Sequence, residues 1–397
     1  MSGHRPQKPA TQLVHAGRRS SEYHGVVNPP VLHASTILFE SLADLEKAGS
    51  SAPGKVTYGR HGTPTRFLLE EAVAELEGGF GTLCVSSGVA AITNAILAFV
   101  KPGDHILVTD STYYPTRSLC NTFLKRFGVE TEYYDPAIGG DIAGLIRDNT
   151  ALVWCESPGS LTFEMQDIPA ISAAAHARGV KVLLDNTWAS PLLCRPFDMG
   201  VDVSVQAGTK YIVGHSDVML GTITTATEED LLTIKKQIII SGDAVGPDDC
   251  YLAQRGLRTL GVRLRQHHES GIKVAQWLQT RPEVKRVLHP ALPDDPGHAI
   301  WKRDFTGASG LFSFILKPVT KPQLAKMVDH MDLFGMGFSW GGFESLILPS
   351  DPKNIRTATK WDEDGQLIRL HVGLEDTDDL IADLEAGLAR LAKDKTL

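Results

Sequence analysis

The stretches best equipped for chemistry are Asp185-Asn186-Thr187-Trp188 and, beyond it, Gln206-Ala207-Gly208-Thr209-Lys210-Tyr211 followed by Gly214-His215-Ser216-Asp217. A lysine amine can hold the aldehyde of pyridoxal phosphate as a Schiff base, and a carboxylate can keep the pyridine nitrogen protonated so that the ring accepts electrons. Lys210 and Asp185 suit those two roles. Val182-Leu183-Leu184 precedes the aspartate and Val201-Asp202-Val203-Ser204-Val205 precedes the lysine. Each run reads as a core strand whose end carries the reactive side chain to one rim of a sheet. Taken singly, Asp-Asn-Thr is a turn and a lysine beside a glycine is solvated surface. The joint arrangement carries the reading.

Two further segments offer anion chemistry. Ser86-Ser87-Gly88-Val89 lies where a strand gives way to a helix, so the Gly88 and Val89 backbone can meet a phosphate at a helix start. Thr209, beside the lysine, adds a hydroxyl donor. Tyr58-Gly59-Arg60 supplies a phenol and a guanidinium fork in a turn-rich segment, which also reads as an ordinary surface loop. In Leu367-Ile368-Arg369-Leu370-His371-Val372, alternation places Arg369 and His371 opposite Ile368, Leu370 and Val372. Arg369 suits an α-carboxylate through a bidentate pair or an ion pair within its own domain, and His371 reads as structural.

Those residues need a scaffold, and the chain is long enough for a large domain and a smaller one. The 397 residues are 42% hydrophobic and 22% charged, as in ordinary globular proteins. A net charge of -8 argues against nucleic acid or an anionic membrane as main partner. The start Met1–Ala10 is basic without a signal-like apolar run, and no apolar run reaches membrane-spanning length, so a cytoplasmic location is expected. Five scattered cysteines without Cys-x-x-Cys read as reduced thiols, and fourteen histidines show no His-Glu-x-x-His pattern, so no metal site is expected. Phosphate-loop and dinucleotide-type glycine motifs are also missing.

Residues 1–60 show weak periodicity and read as an arm. From residue 61 to 255 short β-rich runs alternate with helical ones, which predicts a mostly parallel sheet with one antiparallel pair at Val201–Val205 and Val218–Thr225. Helices are expected at Phe67–Leu76, Val89–Val100 and Ile168–Arg178. Ser241–Asp249, rich in Gly, Pro and Asp, reads as a separator before a polar helix Arg263–Leu278, and residues 256–397 as a smaller α+β domain.

The chain resembles the Cys/Met-metabolism family of pyridoxal phosphate enzymes over about residues 10 to 392. The motifs are Tyr58-Gly59-Arg60, Glu156-Ser157-Pro158, Asp185-Asn186-Thr187, Thr209-Lys210-Tyr211, Gly214-His215-Ser216-Asp217, Arg255-Gly256-Leu257-Arg258-Thr259-Leu260, Ser339-Trp340-Gly341-Gly342 and Arg369-Leu370-His371. The resemblance implies an α/β fold of type I, aspartate-aminotransferase-like. It implies a homotetramer, a dimer of dimers, in which Tyr58 and Arg60 of the arm reach the phosphate of the neighbouring subunit. Tyr113 would stack on the cofactor ring, with Tyr114 the alternative, and either tyrosine could instead be core. Arg369 would take the substrate carboxylate, helped by Ser339 and Trp340.

An indole at Trp340 resembles the β-acting members, which implies β-elimination from L-cystathionine to homocysteine, pyruvate and ammonia in methionine biosynthesis. Three positions depart from the pattern. Ser160 stands where most members have asparagine, Ala207 replaces a serine, and Ile239 lies where close relatives offer a tyrosine. Rival readings are a cysteine or cystine desulfhydrase, a γ-lyase or a γ-synthase on the same scaffold, or a non-catalytic relative.

Overall fold

A computed structural model describes residues 7–48 and 54–391. The first six residues of the basic start and residues 49–53 of the expected arm lie outside the described residues. Strands run in chain order as β1 (Gly81–Val85), β2 (His105–Thr109), β3 (Glu130–Tyr134), β4 (Thr150–Glu156), β5 (Lys181–Asp185), β6 (Val203–Gln206) and β7 (Gly221–Thr225). They continue as β8 (Val284–Leu288), β9 (Leu311–Leu316), β10 (Gly335–Met336), β11 (Leu346–Ser350) and β12 (Gln366–His371). The chain divides into two compact units. One holds the segment up to Lys101, Leu183–Val213 and Asp217–Gly261; the other holds Pro102–Val182, Gly214–Ser216 and Val262 onward.

In the first unit β5 and β6 pair in parallel, while β7 runs antiparallel to both β6 and β1. The reversed strand is the one expected from the short spacing between Val201–Val205 and Val218–Thr225. It begins later, at Gly221, because Leu220 is already committed: its N–H donates to Thr209 Oγ1 at 2.9 Å and its carbonyl accepts the Thr209 N–H at 3.0 Å.

The helix Pro64–Glu77 packs on this sheet. Proline pre-sets its first turn, and Gly78 ends it in the left-handed region at φ 77°, a conformation that costs glycine little. Leu68, Leu69, Ala72, Val73 and Leu76 form its buried stripe. The next helix, Gly88–Leu97, is capped by Ser87, whose hydroxyl accepts the Ala90 N–H at 3.1 Å.

In the second unit β2 lies between β3 and β4, parallel to each. β3 has no counterpart in the sequence reading, since Glu130 and Glu132 break its apolar run; both glutamates instead pair with Arg147. β9 is flanked antiparallel by β8 and β12, with β11 antiparallel to β12 and β10 parallel to β11. Phe312, Phe314, Ile368, Leu370 and Val372 enter one apolar core with Leu380, Leu384 and Leu388 of the helix Thr377–Ala389. The alternation expected around Arg369 is therefore observed.

The polar helix expected from Arg263 begins at Pro247 and runs to Gln279, so residue 255 lies inside it. Pro247, Asp248 and Asp249, which read as separator, are a helix start: proline fits the first turn and the carboxylates favour the positive end of the macrodipole.

Under the Asp185 and Lys210 strands sits the fully buried Glu77. Its Oε1 accepts from Ser204 Oγ at 2.6 Å, Gln206 Nε2 at 2.7 Å and Asn186 Nδ2 at 3.3 Å. Truncation strands three buried donors, each costing roughly 1 kcal/mol or more. Glu77→Ala should lower unfolding free energy by about 3 kcal/mol, read as a reduced urea midpoint with unchanged slope.

Candidate active site

The first unit holds the lysine and its surroundings. β5 ends on Asp185 and β6 ends four residues before Lys210, so the strand ends place both groups as the sequence suggested. Asp185 is buried, and its Oδ1 accepts both the Thr187 N–H, at 3.0 Å, and the Thr187 hydroxyl, at 2.5 Å. The same Thr187 oxygen accepts the Ala207 N–H at 2.9 Å, joining the aspartate to the segment that leads into Lys210. Burial pushes the Asp185 carboxyl above its ordinary pKa, against the opposing pull of the Thr187 bonds and the charge of Lys210. Such a carboxylate is suited to a cationic partner.

Gly88 opens the capped helix, and a Cβ there would stand 2.5 Å from the Ala207 Cβ. The glycine thus allows close approach of the helix start to the lysine segment, in addition to the room for an anion that its type suggested. Val89 follows it, exposed, in the first turn. Thr209 departs from its expected simple role: its hydroxyl donates to the Leu220 carbonyl at 3.1 Å as well as accepting the Leu220 N–H. Arg60 Nη1 donates to the Ile239 carbonyl at 2.9 Å, and the exposed Tyr58 ring meets His61 edge-on. The position flagged as a departure therefore anchors the arm's guanidinium through its backbone.

The second unit holds the remaining candidates. Tyr113 precedes the helical segment Tyr114–Ser118, and its N–H donates to Glu156 Oε2 at 2.7 Å. Tyr113 and Tyr114 are both exposed, so neither is core. The Ser160 N–H donates to the Ser111 carbonyl at 2.8 Å, and Gly159 lies so near Ser111 that a Cβ would sit 2.3 Å from its Oγ. Arg369 Nη2 donates to the Ser339 carbonyl at 2.8 Å, with Ser339 held at a φ of 65°.

Burial lowers the Arg369 guanidinium to about 10, against a smaller opposite effect of Tyr113, and leaves it charged at neutral pH. His371 Nε2 lies 3.2 Å from the Gly341 nitrogen and 3.1 Å from the Gly342 oxygen, fixing the turn after Trp340 in either tautomer. That is the structural role expected of it. Ser216, in the Gly214-His215-Ser216 segment that groups with this unit, donates to Glu344 at 2.6 Å.

Several supporting residues were not singled out in the sequence. Glu156 and Thr187 stood only within motifs of the family resemblance. Glu77 and Glu344 reach their partners across more than a hundred residues of chain, a distance that no local pattern encodes.

A model of the Cys/Met metabolism PLP-dependent enzyme family matches residues 10–389. The chain belongs to that family. It is 49% identical over 388 residues to the cystathionine beta-lyase of Escherichia coli, covering 96% of this chain and 98% of that protein. It is 44% identical over 391 residues to an L-alanine/L-glutamate racemase of Wolbachia pipientis, covering 96% of each. The solved cystathionine gamma synthase of Xanthomonas oryzae, in complex with aminoacrylate and cysteine, superposes with a TM-score of 0.90 at 33% identity, covering 98% of this chain and 99% of that one.

Membership brings pyridoxal phosphate as cofactor, and the donor set fits it: a lysine amine whose charge acts on a buried carboxylate, with a capped helix start packed on the same segment. Among the described residues no helix is long and apolar enough to cross a membrane, and all five cysteines are buried free thiols.

Thr187→Val removes a hydrogen bond to the carboxylate and an acceptor for Ala207. A bond to a charged group is worth about 1.5 kcal/mol, so cofactor affinity should fall roughly ten-fold, measured by spectrophotometric titration of the cofactor-free protein.

Proposed function

We propose that this family member is a carbon–sulfur lyase that cleaves L-cystathionine by β-elimination to homocysteine, pyruvate and ammonia. The observation that carries the reading is the near-complete, 49% identical match to a cystathionine beta-lyase. Support comes from the Arg369 guanidinium, held by the Ser339 carbonyl immediately before the indole of Trp340. A charged guanidinium under partial burial binds an α-carboxylate more strongly than one in open water.

Bound pyridoxal phosphate supplies an electron sink that makes the substrate Cα–H acidic. Lys210 would hold the cofactor at rest, and its free amine would take the substrate Cα proton and return it to the leaving sulfur. Asp185, whose carboxyl burial raises against the pull of the Thr187 bonds and the Lys210 charge, would pair with the protonated ring nitrogen. The first turn at Gly88 and Val89 would hold the phosphate, joined by Thr209 once its hydroxyl turns from the Leu220 carbonyl. Tyr113 would cover the ring, and Ser160 would offer a hydroxyl to the cofactor or the substrate carboxylate.

The exposed apolar side chains of the arm segment, Val26, Val27, Leu38 and Leu42, support its packing on another copy, within a homotetramer in which Tyr58 and Arg60 serve a neighbouring site. Five reduced cysteines accord with work in the cytoplasm.

A second reading is favoured by the racemase relative. Racemisation and β-elimination share the removal of the Cα proton by Lys210, and differ in whether a β-substituent leaves or the proton returns on the other face. Incubation with L-cystathionine should give pyruvate and homocysteine in equal amounts; 2-oxobutyrate and cysteine would assign the γ-lyase reaction, and D-alanine from L-alanine without pyruvate would assign the racemase. Lys210→Ala should retain cofactor and lose at least about four orders of magnitude in kcat, since it removes both the covalent anchor and the base. Near-normal turnover in that variant would overturn the assignment.

A further inference from the structure

Four consecutive residues of the second unit, Arg356–Thr359, tie together the Tyr113 turn and the Ser160 loop. Asp110, at the end of β2, is buried, and its two oxygens are filled by this segment. Oδ1 accepts the Thr357 N–H at 3.0 Å, while Oδ2 accepts the Ala358 N–H at 3.1 Å, the Thr359 N–H at 2.7 Å and the Thr359 hydroxyl at 2.8 Å. Arg117, four residues after Tyr113, folds back onto the same carboxylate at 2.6 Å and onto the Asp110 carbonyl at 2.9 Å, with its guanidinium 3.7 Å from the Tyr133 ring centroid. The turn that carries Tyr113 is thus closed on Asp110 from both sides.

Arg356 holds the second element. Its Nη1 donates to Glu164 Oε1 at 2.8 Å and its Nη2 to Thr162 Oγ1 at 2.5 Å, with a further bond from Nη2 to Glu164 Oε2. These partners sit in a strained loop. Leu161 and Phe163 have φ of 66° and 55°, conformations that cost a non-glycine residue roughly 1–3 kcal/mol and persist only when the surroundings over-determine them. Thr359 joins the two clusters, since its hydroxyl donates to Asp110 and accepts from Arg356 Nη1 at 3.1 Å.

We infer that Arg356–Thr359 is a strap that sets the Tyr113 turn and the Ser160 loop relative to each other, with Arg356 and Thr359 as positioning residues for substrate binding. The inference rests on the reading of Tyr113 and Ser160 as site residues. Arg356 touches neither; it acts through Glu164 and Thr162.

Arg356→Met is the direct variant. The Glu164 side chain it abandons is 36% exposed and can be solvated, and Thr359→Val cuts the node more gently if the first variant folds poorly. On the cofactor-loaded enzyme with L-cystathionine, Arg356→Met should raise KM at least about five-fold with kcat within about three-fold, and Thr359→Val should move KM in the same direction. In the cofactor-free protein, amide exchange at Ser160, Thr162 and Phe163 should quicken. An unchanged KM in both variants, or unchanged exchange, overturns the strap even if the melting temperature falls. Tyr113→Phe and Ser160→Ala separate the two levels: an unchanged KM in both sinks the reading of these two as site residues, whereas a failed strap leaves their own effects on KM intact.

Discussion

One hydroxyl ties together the segments that carry the candidate pair Asp185 and Lys210. Thr187 Oγ1 donates its single proton to Asp185 and spends a lone pair on the Ala207 N–H, so the end of β5 and the segment entering Lys210 share one atom. Desolvation pushes the buried carboxyl toward its neutral form, in which it could not balance a protonated ring nitrogen, and the Thr187 bonds oppose that push. The hydroxyl therefore serves geometry and charge state at once. Glu77 beneath it does the equivalent work for the strands, gathering Asn186, Ser204 and Gln206 onto one oxygen.

The same device recurs in the second unit. Asp110 and Glu156 each stand at the end of a parallel strand and accept backbone N–H groups from the loops that follow or cross them. Asp383 does so from a helix, taking the N–H groups of Asp332, Leu333 and Phe334. A carboxylate with several fixed donors is a rigid junction, because each oxygen can serve more than one bond and its charge strengthens all of them. Loops that carry candidate site residues are set by these junctions, while the apolar core sets only the strands.

What was legible in the sequence follows from that division. Apolar periodicity located β5 and β6, the reversed β7 and the face of β12 that bears Arg369, because those features are written in adjacent residues. The start of the helix Pro247–Gln279 was hidden because proline and aspartate serve equally as turn formers and as first-turn helix residues. β3 was hidden because an edge strand tolerates the charges that disguise it. Arg356 and Glu77 were hidden because their partners lie far away in the chain. The tasks proposed for Lys210, Asp185 and Arg369 came from their chemistry and from family resemblance, whereas the bonds that hold Asp185 and Arg369 are visible only in the fold.

Ser216 stands six residues after Lys210, yet its segment groups with the C-terminal part of the chain, and its hydroxyl ends on Glu344. Gly342 is correspondingly bare there, since a Cβ would fall 2.0 Å from the Ser216 oxygen. Recombining this protein with a relative by exchanging everything beyond residue 262 would consequently split a matched set. Residues 214–216 are better moved as cargo of the C-terminal half than left as the tail of the lysine motif, and a crossover plan drawn from linear sequence would miss that grouping.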